Sequence, residues 1–208
     1  MIIYLVGGGD IKAGDLQEVD KKALSEAQNK KVYVLDLTTN DENKLTQYRD
    51  FLTSYFQKIG ADDIKFISTS ASLENVEKEI KESGLIYIPG GNTELLLQNL
   101  KERQVIPILK SFKSIIVGNS AGALVICNKT VLTMDDDITE TKVVDGIGLV
   151  PFAVDVHYTA AHDPELFELS KGFEIFGIPE KCAIVYDGTY HFIGNIFKFY
   201  QGNKEKIN

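Results

Sequence analysis

Hydrophobic positions along the chain fall into short apolar runs separated by stretches of helical spacing. Residues 2–6 are continuously apolar and end at Gly7-Gly8-Gly9, as expected of a strand buried on both faces. Over residues 15–28, Leu16, Val19, Ala23, Leu24 and Ala27 recur with a helical period. Residues 31–37 predict a strand. Residues 45–59 predict a helix through Tyr48, Leu52, Tyr55, Phe56 and Ile59, closed by Gly60. A short strand at 63–67, a helix at 73–82 and a strand at 85–88 follow. That last strand runs into Pro89-Gly90-Gly91-Asn92-Thr93 and a helix through Leu95, Leu96, Leu97 and Leu100. After residues 105–112 comes the strand Ile115-Ile116-Val117.

Strand and helix thus alternate at the spacing of βαβ units. This predicts an α/β fold, doubly wound, with a mainly parallel sheet and helices on both faces, over a single domain spanning residues 1–208. Beyond Thr130 the pieces shorten. An acidic turn falls at Met134-Asp135-Asp136-Asp137, a strand at 153–157, and a helix through Leu166, Leu169, Phe173 and Phe176. Strands at 182–186, 190–193 and 196–200 follow, the chain closing in a C-terminal β-hairpin with a polar tail, 202–208, expected to fray.

Composition narrows the function. With 208 residues, 44% hydrophobic and 25% charged, the chain can bury a substantial core. A net charge of −8 and only two arginines, Arg49 and Arg103, argue against nucleic acid as a partner. No stretch has the length and apolarity of a membrane span, and the N-terminus lacks a basic segment before its first apolar run, so a cytoplasmic location is expected. Cys127 and Cys182 form neither a disulfide framework nor a metal-site spacing. Gly7 and Gly9 begin a dinucleotide fingerprint that Lys12 fails to complete, so the loop reads as small residues at a strand end.

The chemistry concentrates at Gly118-Asn119-Ser120-Ala121-Gly122, a G-x-S-x-G turn between an apolar strand and a helix-compatible run. Such a turn strains the serine backbone and tolerates only tiny side chains two residues to either side. It exposes Ser120 Oγ and aims the Ala121 N–H at an oxyanion. Gly90 or Gly91 is the candidate second oxyanion donor, because its strand ends beside the same crevice. Asn92, Asn119 and Tyr158 flank these groups and are expected to meet the substrate. Three histidines could serve as base. His157 closes a strand, His162 lies five residues on, and His191 alternates with aromatic residues in a late strand, which favours His157.

Gly90-Gly91-Asn92-Thr93, the Gly-Asn-Ser-Ala-Gly-Ala run and the Pro151 to His157-Tyr158 segment resemble the peptidase E family, the aspartyl dipeptidases related to cyanophycinases. The resemblance covers nearly the whole chain. It implies a class I glutamine amidotransferase-like fold, Ser120 as nucleophile and His157 as base, with no metal or organic cofactor. For the third member, Asp135 occupies the family's acidic position after the turn. Asp187, in Val185-Tyr186-Asp187-Gly188, matches a Glu-Gly of other members and, at a strand end, is the better held. The expected function is a serine peptidase acting on a small peptide substrate, with a homodimer left open. Two rivals remain: a non-catalytic small-ligand module on the same fold, and an α/β-hydrolase-type esterase using His191. Aspartyl preference would need a cation, best an arginine, in the acyl-side pocket. Between Tyr158 and Phe176 the chain offers only His162 and Lys171, which leaves that preference open.

Overall fold

The computed structural model describes residues 1–68, 70–134 and 140–208. Its first half alternates as the sequence pattern requires: β1 (Ile2–Val6), α1 (Gln17–Glu26), β2 (Lys31–Val34), α2 (Glu42–Lys58), β3 (Asp63–Phe66), α3 (Leu73–Glu82), β4 (Leu85–Ile88), α4 (Thr93–Glu102), α5 (Ile106–Ser111), β5 (Ile115–Asn119) and α6 (Ala121–Ile126). The second half is mostly strand: β6 (Lys129–Leu132), β7 (Lys142–Asp145), β8 (Ala153–Val156), α7 (Asp163–Leu169), β9 (Ile175–Ile178), β10 (Ala183–Tyr186), β11 (Tyr190–Ile193), β12 (Phe197–Tyr200) and β13 (Asn203–Lys206).

The main sheet runs β11-β10-β1-β5-β4-β2-β3. Its five central and outer strands from β1 to β3 are parallel, while β10 and β11 pair antiparallel on the β1 side. The continuous apolar runs have a simple cause, since alternate residues feed two separate cores. Tyr4, Val6, Val34, Tyr87 and Val117 pack under α1 and α2. Ile3, Leu5, Tyr33, Ile86, Ile88 and Ile116 pack with residues of α3 to α6 on the other face. Both faces are covered, so the strands are apolar almost throughout. The chain leaves β1, crosses to β2 and β3, then returns to fill the gap with β4 and β5. The carboxyl ends of β1, β5 and β4 therefore meet at the reversal, where open α/β sheets place their sites.

A second sheet, β13-β12-β9-β8, abuts the first, and its β8 and β9 are parallel with Val156 opposite Ile178. Two expectations are corrected here. Phe176 lies in β9 and not in the preceding helix, which stops at Leu169. Phe173 and Phe176 only coincidentally continue its spacing past Gly172, and β9 instead pairs on both sides. The polar tail does not fray but supplies β13, the second arm of the closing hairpin. Lys204 secures it by pairing with Asp163 at 2.8 Å while lying over the rings of Tyr158, Phe197 and Phe199.

Candidate active site

Ser120 stands where β5 turns into α6, at φ +50° and ψ −111°, a conformation costly for a residue with a Cβ. Its N–H donates to Val6 O at 3.0 Å and its carbonyl accepts from Leu124 N, which ties the turn to β1 and to the helix. The flanking glycines are required by contact. A Cβ on Gly118 would lie 2.6 Å from Gly122 O, and one on Gly122 would lie 2.0 Å from Ile88 O. Gly90 faces the serine directly, since a Cβ there would sit 3.6 Å from Ser120 Oγ. Gly91, at φ +131°, backs onto Thr38. Asn92 accepts from Leu95 N and caps α4, so its side-chain oxygen serves the helix, and the residue borders the cavity.

His157 follows β8 and is likewise at φ +50°. Its Nε2 lies 2.9 Å from Ser120 Oγ, and its Nδ1 lies 3.0 Å from Glu180 Oε1. The glycine loop after β1 seats both segments. Gly7 O accepts from His157 N at 2.7 Å, and Gly8 O accepts from Lys181 N at 2.9 Å. The imidazole lies flush on Gly8, where a Cβ would come within 2.1 Å of Cε1. Lys181 is further held by Asp15 at 2.9 Å, a pairing that lowers the Asp15 carboxyl below its usual pKa and raises that of Lys181. Both His157 and Glu180 are about half exposed, so water screens their attraction and the contact acts mainly by orienting the ring.

The remaining expected residues fall as follows. Asp187 is not beside His157; it accepts from the backbone and hydroxyl of Thr189 in the β10–β11 turn, which lowers its pKa. His191 turns to the same Thr189 hydroxyl at 3.1 Å, and His157 is the histidine that meets Ser120. Tyr158 is buried; its hydroxyl donates to Asp163 and its ring covers Gly177, so it supports the second sheet. Asn119 is buried as well, on the strand face it shares with Val117, beneath α1 and α2. Ala121 opens α6 immediately after the serine. Asp135 lies outside the described residues.

The sequence pattern does not single out Glu180. The helical reading of Phe173 and Phe176 hid β9, and with it the fact that Glu180 lies just past a strand end. Because β8 and β9 run parallel with Val156 opposite Ile178, the residues that follow each strand emerge side by side. An apolar Ile175-Phe176-Gly177-Ile178 run ended by Pro179 was the available signal.

Ser120 and His157 open onto a cavity of about 640 Å³, bordered also by Gly91, Leu124, Asp155 and His162. Asp155 is almost wholly buried, yet both carboxylate oxygens are used: Thr133 Oγ1 donates to one at 2.9 Å, and His162 Nδ1 lies 2.8 Å from the other. The cavity therefore holds two histidines, each aligned by a carboxylate at Nδ1. Of the two, His157 is the one whose Nε2 lies against the Ser120 hydroxyl. Chemically, the arrangement can deprotonate Ser120 Oγ beside a carbonyl bound in the cavity.

A strained serine turn at the carboxyl edge of a doubly wound sheet, with histidine and carboxylate in line behind it, has the form of a hydrolase site. The chain matches the model of peptidase family S51 over residues 3–193 and belongs to that family. Peptidase E of Nostoc sp. is 29% identical over 180 residues, covering 76% of this chain and 72% of its own. Peptidase E of Salmonella arizonae is 31% identical over 118 residues, which is 55% of this chain and half of that protein. A probable alpha-aspartyl dipeptidase of Drosophila melanogaster is 30% identical over 46% of this chain and 40% of its own. The crystal structure of a peptidase from an acI-B1 actinobacterium superposes with a TM-score of 0.77 at 18% identity, covering all of this chain and 93% of that one, and so shares its fold. Among the described residues, no helix is long and apolar enough to cross a membrane.

Proposed function

We propose that the protein is a serine peptidase cleaving short peptides, with dipeptides as its characteristic substrates. The observation that carries this reading is the line from Ser120 Oγ through His157 to Glu180, at 2.9 and 3.0 Å. Ser120 Oγ attacks the scissile carbonyl carbon while His157 Nε2 takes its proton. Glu180 fixes the ring with Nδ1–H inward and stabilises the imidazolium that forms. The oxyanion is held by the Ala121 N–H and by the Gly90 or Gly91 N–H, each such donor worth about 3–4 kcal/mol in the transition state. Nε2 then delivers the proton to the leaving amine, and water, activated by the same imidazole, frees the acyl group from Ser120.

Glu180 takes the role of orienting acid in this reading. Asp187 is committed to Thr189, and a single carboxylate suffices at Nδ1. The name of the Drosophila relative, a probable alpha-aspartyl dipeptidase, points to dipeptides and to an aspartyl residue on the acyl side. The basic side chains at this cavity are those of His157, His162 and Lys142, the last within 3.5 Å of Glu94.

The test is hydrolysis of a dipeptide panel, Asp-Xaa beside neutral and basic Xaa-Xaa, by wild type and Ser120→Ala. Turnover lost in Ser120→Ala upholds the mechanism, and its distribution across the panel assigns the specificity. Turnover that survives the substitution refutes Ser120 as nucleophile.

A further inference from the structure

Behind the nucleophile, on the face of the main sheet turned away from the cavity, three buried side-chain oxygens have no well-aligned hydrogen-bond partner among the described residues: Asp20 Oδ1 on α1, Tyr87 Oη on β4 and Asn119 Oδ1 at the end of β5. They belong to one neighbourhood. Asn119 shares its strand face with Val117, and Val117 pairs in register with Tyr87. The Asn119 carboxamide faces the Tyr87 oxygen, and the charge of Asp20 acts on Tyr87, Tyr48 and Tyr55 together. Asp20 keeps one firm bond, accepting from Tyr55 Oη at 2.7 Å.

Grouped buried polar atoms of this kind are expensive in an otherwise apolar layer, and phenylalanine in place of Tyr87 would fill the space more cheaply. Buried groups left over by direct bonding are ordinarily joined by internal water, which takes about three hydrogen bonds from such a shell. The position of the cluster gives it a use. Asn119 is the residue before Ser120, whose left-handed backbone persists only if its surroundings hold it. On one side the turn is fixed by Val6 O and the glycines; on the other, the polar neighbour of Ser120 is Asn119.

We propose that Asp20, Tyr87 and Asn119 enclose one or two internal water molecules, and that through them Asn119 acts as a positioning residue for Ser120. It touches no substrate, as Asn119 does not border the cavity. Its effect is to keep Ser120 Oγ in line with His157 Nε2, so it falls on the chemical step and not on substrate binding. The inference rests on Ser120 being the nucleophile.

The experiment compares wild type with Tyr87→Phe and Asn119→Ala, using steady-state kinetics on a cleaved dipeptide and the rate at which a fluorophosphonate labels Ser120. Ser120→Ala sets the background. Tyr87→Phe keeps the ring and removes only the hydroxyl, so it carries the test if Asn119→Ala does not fold. The expected result is a kcat and a labelling rate lowered about tenfold in each variant, with KM within about twofold of wild type. Unchanged kcat and labelling, even with a lowered Tm, would make the cluster purely structural and overturn the proposal, as would a loss confined to KM. Turnover or labelling that persists in Ser120→Ala would instead overturn the serine reading. The two failures are therefore separable.

Discussion

His157 Nε2 meets Ser120 Oγ at 2.9 Å, and both residues hold their backbones at φ +50°. Neither is glycine, so each carries a strain that the surrounding structure must hold in place. Val6 and the close-packed glycines hold Ser120. Gly7 O holds His157 through a 2.7 Å bond, and Lys181, next to Glu180, is itself at φ +64° and bonded to Gly8 O. One three-glycine loop thus sets His157 and Glu180 together.

Glu180→Gln should lower kcat/KM by about 100-fold or more, because a neutral carboxamide no longer stabilises the imidazolium and can present its NH2 group to Nδ1, which selects the wrong tautomer. Asp187→Asn should leave activity within about twofold, since Asp187 engages Thr189 in its own turn and His191 on β11, not His157. Steady-state kinetics on both variants checks the assignment, and the reverse pattern would return the role to Asp187.

Gly8→Ala should disable the enzyme with little change in substrate affinity. A Cβ there would lie 2.1 Å from His157 Cε1, and Gly8 is at φ +107°. The ring must move, and a displacement near 1 Å costs about 100-fold in rate. The strained backbone should also lower stability by roughly 1–2 kcal/mol. Activity assays beside thermal melts separate the two effects.

Asp20 should make stability depend on pH. Burial pushes its carboxyl up to about 7 from 3.8, so between these values the folded protein keeps a proton that the unfolded chain releases. Stability therefore falls as pH rises through that window, by up to about 4 kcal/mol from this group. Asp20→Asn cannot ionise, so its Tm relative to wild type should be several degrees higher at pH 8 than at pH 4. Melts at the two pH values test this, and an equal offset at both would contradict it.

Arg49→Leu should destabilise the fold by about 3 kcal/mol or more. Asp36 is buried at the end of β2, and Arg49 on α2 reaches both its oxygens, at 2.6 and 3.2 Å, as well as Ile67 O. Removing the guanidinium strands a buried carboxylate, which costs more than the pair contributes. Denaturant titration should show the loss, and a double variant with Asp36→Asn should recover part of it.

Much of this protein was legible from local pattern. Alternating apolar strands and periodic helices determined the doubly wound half, because a strand covered on both faces must be largely apolar and a covering helix must be apolar on one face. The G-x-S-x-G turn was legible for the same kind of reason: contacts among Gly118, Gly122 and Ile88 admit no side chain, so the constraint is written in residue type. His157 could be favoured because it closes a strand. The carboxylate beside His157 could not be read in this way. Glu180 is 23 residues from His157, and the parallel pairing of β8 with β9 and the glycine loop bring them together. Asn119 and Tyr158 were adjacent in sequence to the expected machinery, yet strand parity turned the first under α1 and α2, and Asp163 with Gly177 drew the second into the small sheet. Local spacing records which residues can form an element. Which side chains then meet across elements is set by register and crossing, and these exist only once the chain is folded.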